Sequence, residues 1–289
     1  MIEIRNLQKV VDGQTVVDIE SLTIEPGRVA GFVGPVDSQL GVIFELLTGQ
    51  SRPTAGSIQI SGIDPYRDRG QFSHQVGVVF VEDNLYQRQS VLVNLNFYRR
   101  LYRLPAERVQ EIIGLVGLAD QADTIAGELS PGLARRLAFG RAILHQPAVL
   151  LLNEPFKESD AATITIISSL VQEFAQDGTI ILILSSEDQQ INLVADVVFR
   201  FNQGLVVDTY FPGEEQRESL PFKIPAKLEH TVALVDPAEI SYAFAQDDRT
   251  FVQTGDGSLP TQFTMAELEQ RLSRSGFFRA HRSYLVNLQ

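Results

Sequence analysis

Up to about residue 210 the sequence switches repeatedly between two hydrophobic periods, and that alternation limits the fold more than any other feature. RVAGFVG, VGVVFVE, AVLLLN, TIILILSS and DVVFRFN are short apolar runs that read as strands. Between them LGVIFELLTGQ, LVNLNFYRRLYRL with ERVQEIIGLVGL, ARRLAFGRAILHQ and ATITIISSLVQEFAQ read as helices. Strands and helices in turn imply a mostly parallel sheet wrapped by helices, an α/β architecture.

The pattern breaks over 208–221, where two prolines, a glycine and a charge cluster read as a linker between a domain at 1–207 and a second at 222–289. The second domain has a different texture: FKIPAK, HTVALVD, EISYAFAQ and RTFVQTGDGSLPTQF are short strands, with GDG as a hairpin turn. The helix MAELEQRLSRS follows, with Leu268 and Leu272 on one face. At 289 residues the chain has room for both. No apolar run approaches the ~18 residues of a membrane span. The strand-like start MIEIRNLQKV offers no export leader, and the absence of Cys excludes disulfide and thiolate chemistry, so the cytoplasm is the expected location. Net charge is -12, which argues against a basic nucleic-acid coat, but its distribution is uneven. Residues 1–219 hold 17 basic against 28 acidic side chains, and 220–289 hold 7 against 8.

GFVGPVDSQLGV (31–42) has the strand, loop and helix of a P-loop, whose pattern G-x-x-x-x-G-K-[ST] cradles phosphates with backbone N–H groups, a Lys and a Mg²⁺-binding hydroxyl. Gly34 keeps the first position, but Gln39 replaces the second Gly, Leu40 the Lys and Gly41 the hydroxyl. Together with LSPGLARRLAFGRAILHQPAVLLLNEPF, this segment resembles the nucleotide-binding domain of ABC transporters over about 210 residues, implying an ABC-type P-loop NTPase fold. Matched to that family, Asn153 stands at the Mg²⁺-supporting Asp, Val81 at the Q-loop glutamine and Glu187 at the switch histidine. Val11 falls near the adenine-stacking tyrosine, and LSGGQ has become LSPGL. Glu154 keeps the position of the catalytic base, but a base without metal or positioned phosphate has nothing to activate. The resemblance therefore implies a pseudo-ATPase, with ATP and Mg²⁺ expected not to bind.

Around this site, Ser130 and Pro131 suit the cap and first turn of the signature helix. Leu40 is expected to pack into the emptied pocket, and Asp37, with Ser38 at the start of the helix, to stand in partly for the lost phosphate. Arg135, Arg136 and Arg141 are expected on a solvated helix face, and His74 and His145 have no ligands at metal spacing.

The tail, and above all ELEQRLSRSGFFRAHRSYLVNL, resembles the LytTR domain of bacterial response regulators, a small mostly-β fold that reads DNA through loops. The resemblance places Arg249 and Thr250 in a first reading loop, and Arg279, His281, Arg282, Ser283 and Asn287 in a second region. Arg suits guanine and phosphate, and His and Asn suit phosphates or base edges. Asp247 and Asp248 would repel phosphate beside Arg249, while Phe277, Phe278, Tyr284 and Leu285 are expected in the core. The family continues past its V-N strand to a third reading loop, so a stop at Gln289 leaves two expectations: a shortened domain, whose missing edge strand would leave an open sheet edge, or one that completes itself differently.

The combined expectation is a cytoplasmic transcription regulator, a homodimer on double-stranded promoter DNA with half-sites ~10 bp apart. The ABC-like domain would be its dimerisation or sensing scaffold. The alternative is an accessory subunit of an ABC exporter, with a transporter membrane subunit as partner.

Overall fold

The computed structural model describes residues 1–212, 224–228, 231–235, 237, 240–246, 249–255, 257–261, 263–272, 277–281 and 283–287. It divides into two compact units, Met1–Gly213 and Glu214–Gln289.

In the first unit, β1 (Ile2–Val11) and β2 (Gln14–Ile24) form a hairpin. β3 (Val29–Val33) leads to α1 (Leu40–Leu47), β4 (Ala55–Ile60), α2 (Arg69–Gln75) and β5 (Val76–Val79). Then come α3 (Val91–Leu101), α4 (Glu107–Leu115), α5 (Pro131–Ile143), β6 (Val149–Asn153), α6 (Ala161–Gln176), β7 (Ile180–Ser185), β8 (Val197–Asn202) and β9 (Leu205–Tyr210). β9 runs three residues into the stretch read as linker, because it completes an antiparallel ladder with β8.

Two sheets result: β2-β1-β4, antiparallel, and β5-β6-β7-β3-β8-β9, parallel except for its last strand. The larger sheet is covered on both faces, as a parallel sheet requires. Along β7, Ile181 and Ile183 enter the core built with α3 to α6, while Ile180, Leu182 and Leu184 enter the core shared with α1 and the smaller sheet. Each such buried Ile or Leu contributes about 1.5–3 kcal/mol, so β7 is a central stabiliser of both layers. Where α5 starts, Ser130 Oγ accepts from Leu133 N at 3.4 Å with Pro131 in the first turn, as the sequence predicts. No helix among the described residues is long and apolar enough to cross a membrane.

His145, just past α5, lies flat on Tyr102 with ring centroids 4.2 Å apart. Burial lowers its pKa to about 4, and the nearby His74 acts in the same direction. The Val76 backbone opposes this more than His74 adds to it, without reaching hydrogen-bond geometry. A neutral His in the fold and one of ordinary pKa in the unfolded chain means that stability present above pH 6.5 is lost as pH falls toward 4, by about 2 kcal/mol. His145→Phe should keep the stack and flatten this limb, so urea midpoints at pH 7 and pH 4.5 should differ less in the variant than in the parent.

The second unit contains β10 (Ile224–Leu228), β11 (Thr231–Val235), β12 (Ile240–Gln246), β13 (Arg249–Thr254), β14 (Gly257–Thr261), α7 (Met265–Leu272), β15 (Phe277–His281) and β16 (Tyr284–Asn287). The strands make one antiparallel sheet in the order β11-β10-β14-β13-β12-β16-β15. Leu268 and Leu272 of α7, both fully buried, join Ala243, Val252 and Leu285 in its core.

Candidate functional site

β3 delivers the chain into a loop that α1 leaves at Leu40. Ser38 N donates to Pro35 O (2.8 Å) and Gly204 N donates to Ser38 O (3.0 Å), fixing the turn at both ends. Gly34 is required sterically, since a Cβ there would lie 2.5 Å from Phe201 O and 2.6 Å from Ser38 Cβ. Gln39 caps α1 in the left-handed region, φ 66° and ψ 18°, and its side chain makes no cap bond. The loop thus keeps a glycine-type backbone without the glycine, at a cost of about 1–2 kcal/mol. The expectation for Asp37 is not met. It is exposed, precedes α1 rather than opening it, and receives no hydrogen bond from the loop amides.

The loop borders a cleft of about 620 Å³, and six of the seven positions singled out by motif line it: Leu40, Gly41, Val81, Asn153, Glu154 and Glu187. Gln39 stands beside them in the chain. Leu40 is half-buried against the core that holds Phe32 and Phe201 and still lines the open cleft, so it packs beside the emptied pocket rather than filling it. A Cβ on Gly41 would meet nothing within 4 Å, so packing does not demand a glycine where a hydroxyl would stand. Glu154, at φ 50°, is half-buried in the cleft wall and oriented by two donors: Ser186 N donates to its Oε1 (2.7 Å) and Ser185 Oγ to its Oε2 (3.0 Å). The ionisable lining is three carboxylates, Glu154, Glu158 and Glu187, against the single ammonium of Lys157. Such a field opposes a polyphosphate.

The arginines of α5 overturn the expectation of a solvated face. Arg135, Arg136 and Arg141 are at most 9% exposed. Arg135 donates to Phe80 O and Val81 O, both at 2.8 Å, and lies 3.2 Å from Asp83 Oδ1 without hydrogen-bond alignment. Burial raises the Asp83 pKa even though Arg135 and Arg141 pull it down. Arg136 Nε donates to Thr163 Oγ1 (2.8 Å), and Arg141 Nη1 to Asn84 O (2.8 Å). The segment Phe80–Asn84 is therefore pinned to α5.

In the second unit Ser283 of the second expected reading region comes beside the first at one end of the sheet, while Asn287 lies toward the other end of β16. Arg249 at the start of β13 pairs with Gln246 at the end of β12, and Ala245 N donates to Ser283 O (3.0 Å) just before β16. His281 is exposed, with its Nδ1 accepting from Ser283 N (3.3 Å). Arg279 is ion-paired to Glu269 of α7, and Asn287 Nδ2 donates to Ile240 O (3.1 Å), which makes Asn287 a brace between strands. Thr250 is a correction: it shares the inward face of β13 with Val252 and Thr254 and is 8% exposed, so it cannot present its hydroxyl to DNA. Phe278 and Tyr284 are corrections in the other direction, 61% and 46% exposed, while Phe277 and Leu285 are core. Arg282, Asp247 and Asp248 lie outside the described residues.

A model of the ABC transporter family matches residues 17–157, and a model of the LytTr DNA-binding domain matches residues 230–289. The aliphatic sulfonates import ATP-binding protein of Rhodococcus jostii is 32% identical over 205 residues, covering 70% of this chain and 80% of that protein. The chain belongs to the ABC transporter family. An uncharacterized ABC transporter ATP-binding protein of Bacillus subtilis is 27% identical over 210 residues, 72% of this chain and 69% of that one. In fold the ABC unit is similar to a dimeric ATP-binding cassette solved in a post-hydrolysis state with ADP and Pi. The TM-score is 0.65 at 20% identity, over 73% of this chain and 98% of that one.

Within this ABC unit, the strained Gln39 gives a direct test of loop conformation. Gln39→Gly relieves the left-handed strain but adds about 0.4–1 kcal/mol of unfolded-chain entropy, leaving a net gain of about 0.5–1 kcal/mol. The urea midpoint should rise with an unchanged denaturant slope.

Proposed function

We propose that this ABC–LytTR chain is a DNA-binding transcription regulator whose ABC unit neither binds nor hydrolyses ATP and serves as a dimerisation scaffold. The observation that carries the reading is the cleft of the ABC unit in a chain that also has a LytTr domain. Leu40, Gly41 and Asn153 offer no cation, hydroxyl or carboxylate to a Mg²⁺–triphosphate, and the open space at Gly41 means the fold did not require that loss. Arg249, Arg279, His281, Arg282 and Ser283 are the proposed DNA contacts, and promoter DNA and a second copy of the chain the proposed partners. The test is binding of the purified chain to its own upstream promoter across a salt series, with and without ATP and Mg²⁺. Selective binding that weakens steeply with salt and ignores ATP supports the reading. An affinity that changes with ATP, or no selective binding, overturns it.

One feature favours the accessory-subunit reading. Val93, Phe97 and Leu101 of α3 are 46%, 48% and 61% exposed at spacings of four, and Tyr86, 45% exposed, rests on Phe97 with ring centroids 5.0 Å apart. An apolar stripe of this kind suits an amphipathic segment of a membrane subunit. Co-purification of such a subunit with the parent chain, lost in Phe97→Asp, would favour that role over the regulator.

A further inference from the structure

A second cleft, of about 490 Å³, opens among β5, α2, α3 and α5 and shares no lining residue with the first. Its size falls within the roughly 300–1,000 Å³ of small-molecule sites. The walls are rich in rings, with Phe72, Phe80, Tyr98 and Tyr102 joined by the stacked His145. In a chain of net charge -12, the only charged side chains lining it are Arg69 and Arg141, and no carboxylate lines it.

The two arginines differ in depth. Arg69 is exposed and hydrogen-bonded to Gly49 O. Arg141 is 9% exposed and lies over the Tyr98 ring, 5.5 Å from its centroid. One of its N–H groups reaches Asn84 O; Asp83, outside the cleft lining, feels its charge, but no other acceptor hydrogen-bonds the guanidinium among the described residues. A buried guanidinium with spare donors is a strong anion site, because charge-assisted hydrogen bonds gain strength where water is excluded. Both ring nitrogens of His145 also lack a partner among the described residues, an unmet demand in a wall otherwise well packed.

We propose that this cleft binds a small aromatic monoanion, its ring system against Tyr98, Tyr102 and Phe72 and its carboxylate or sulfonate on Arg141. A polyphosphate does not fit the same description, since two cations and apolar walls cannot neutralise several charges. Occupancy would be felt beyond the cleft, because Arg141 also holds the Phe80–Asn84 segment whose Val81 lines the first cleft. Binding itself does not rest on the DNA-binding reading, so either can fail without the other.

Calorimetric titration of the full chain with 2-naphthoate and 2-naphthalenesulfonate tests this, with neutral 2-naphthalenemethanol as the charge control. At least one anion should bind saturably at one site per chain, at least tenfold tighter than the alcohol. Ser73→Trp, an exposed lining position, should abolish binding by filling the mouth, and Arg69→Gln should weaken it severalfold. Glu20→Trp, an exposed position of β2 that lines neither cleft, should leave it unchanged. Arg141→Gln should lose at least tenfold; melting curves check that it folds, and the Ser73 and Arg69 variants decide the matter if it does not. No saturable binding by either anion, equal affinity for the alcohol, or unaltered binding by the Ser73→Trp chain would overturn the proposal.

Discussion

Arg135→Ala should destabilise the ABC unit by about 3 kcal/mol, the lower end of what removing one partner of a buried ion pair costs. Two backbone carbonyls, of Phe80 and Val81, lose their donors, and Asp83 loses the cation beside it. Asp83 keeps some access to water, 21% of its side chain, which holds the figure below the 5 kcal/mol of a fully enclosed pair. Arg135→Lys should recover only part, because one ammonium cannot span two carbonyls as a planar guanidinium does. Urea denaturation followed by circular dichroism measures both variants, and a loss under 1 kcal/mol for Ala would show that water replaces the arginine without cost.

Asn94→Leu should cost about 2–3 kcal/mol from the other side of the same region. Asn94 is 2% exposed, its Oδ1 accepts from Tyr86 N (2.9 Å), and its Nδ2 donates to the carbonyls of Tyr86, Gln89 and Ser90 at 3.0–3.2 Å. Leucine matches the volume and none of the bonds, and unsatisfied buried groups cost about 1–3 kcal/mol each. Hydrogen exchange at the Tyr86 amide should accelerate by more than the global loss of stability explains. Unchanged exchange there would mean that the turn holds itself.

These two side chains also mark the limit of what the sequence discloses. Strands β3, β5, β6, β7 and β8 and helices α1 and α3 to α6 were legible because their apolar runs are clear, whereas α2, which buries only Phe72, and β2 were not, and the cleft was legible because Leu40, Gly41 and Asn153 fall at fixed distances within a motif. The arginines of α5 were not. Arginine is mostly exposed, and nothing local to ARRLAFGR says that carbonyls more than fifty residues earlier in the chain will meet it. Thr250 shows the limit of a positional resemblance, which places it in a loop although it alternates inward with Val252 and Thr254, and Phe278 is exposed although an aromatic at a strand position is more often buried than not. The left-handed backbone of Gln39 leaves no trace in the sequence, where only the chemistry of its side chain shows.

The position of β3 has a consequence for how the protein is made. It pairs on one side with β7 and on the other with β8, so a strand that ends at Val33 waits for partners that begin at Ile180 and Val197. At roughly 5–20 residues per second, a ribosome needs on the order of 7–30 s to supply the first of them. Through that interval Val29, Ala30, Phe32 and Val33 have no ladder to join, and the nascent chain is at its most vulnerable to chaperone capture and aggregation. Slowing synthesis before residue 180 should therefore lower the soluble yield more than slowing it after residue 210, when the sheet can already close.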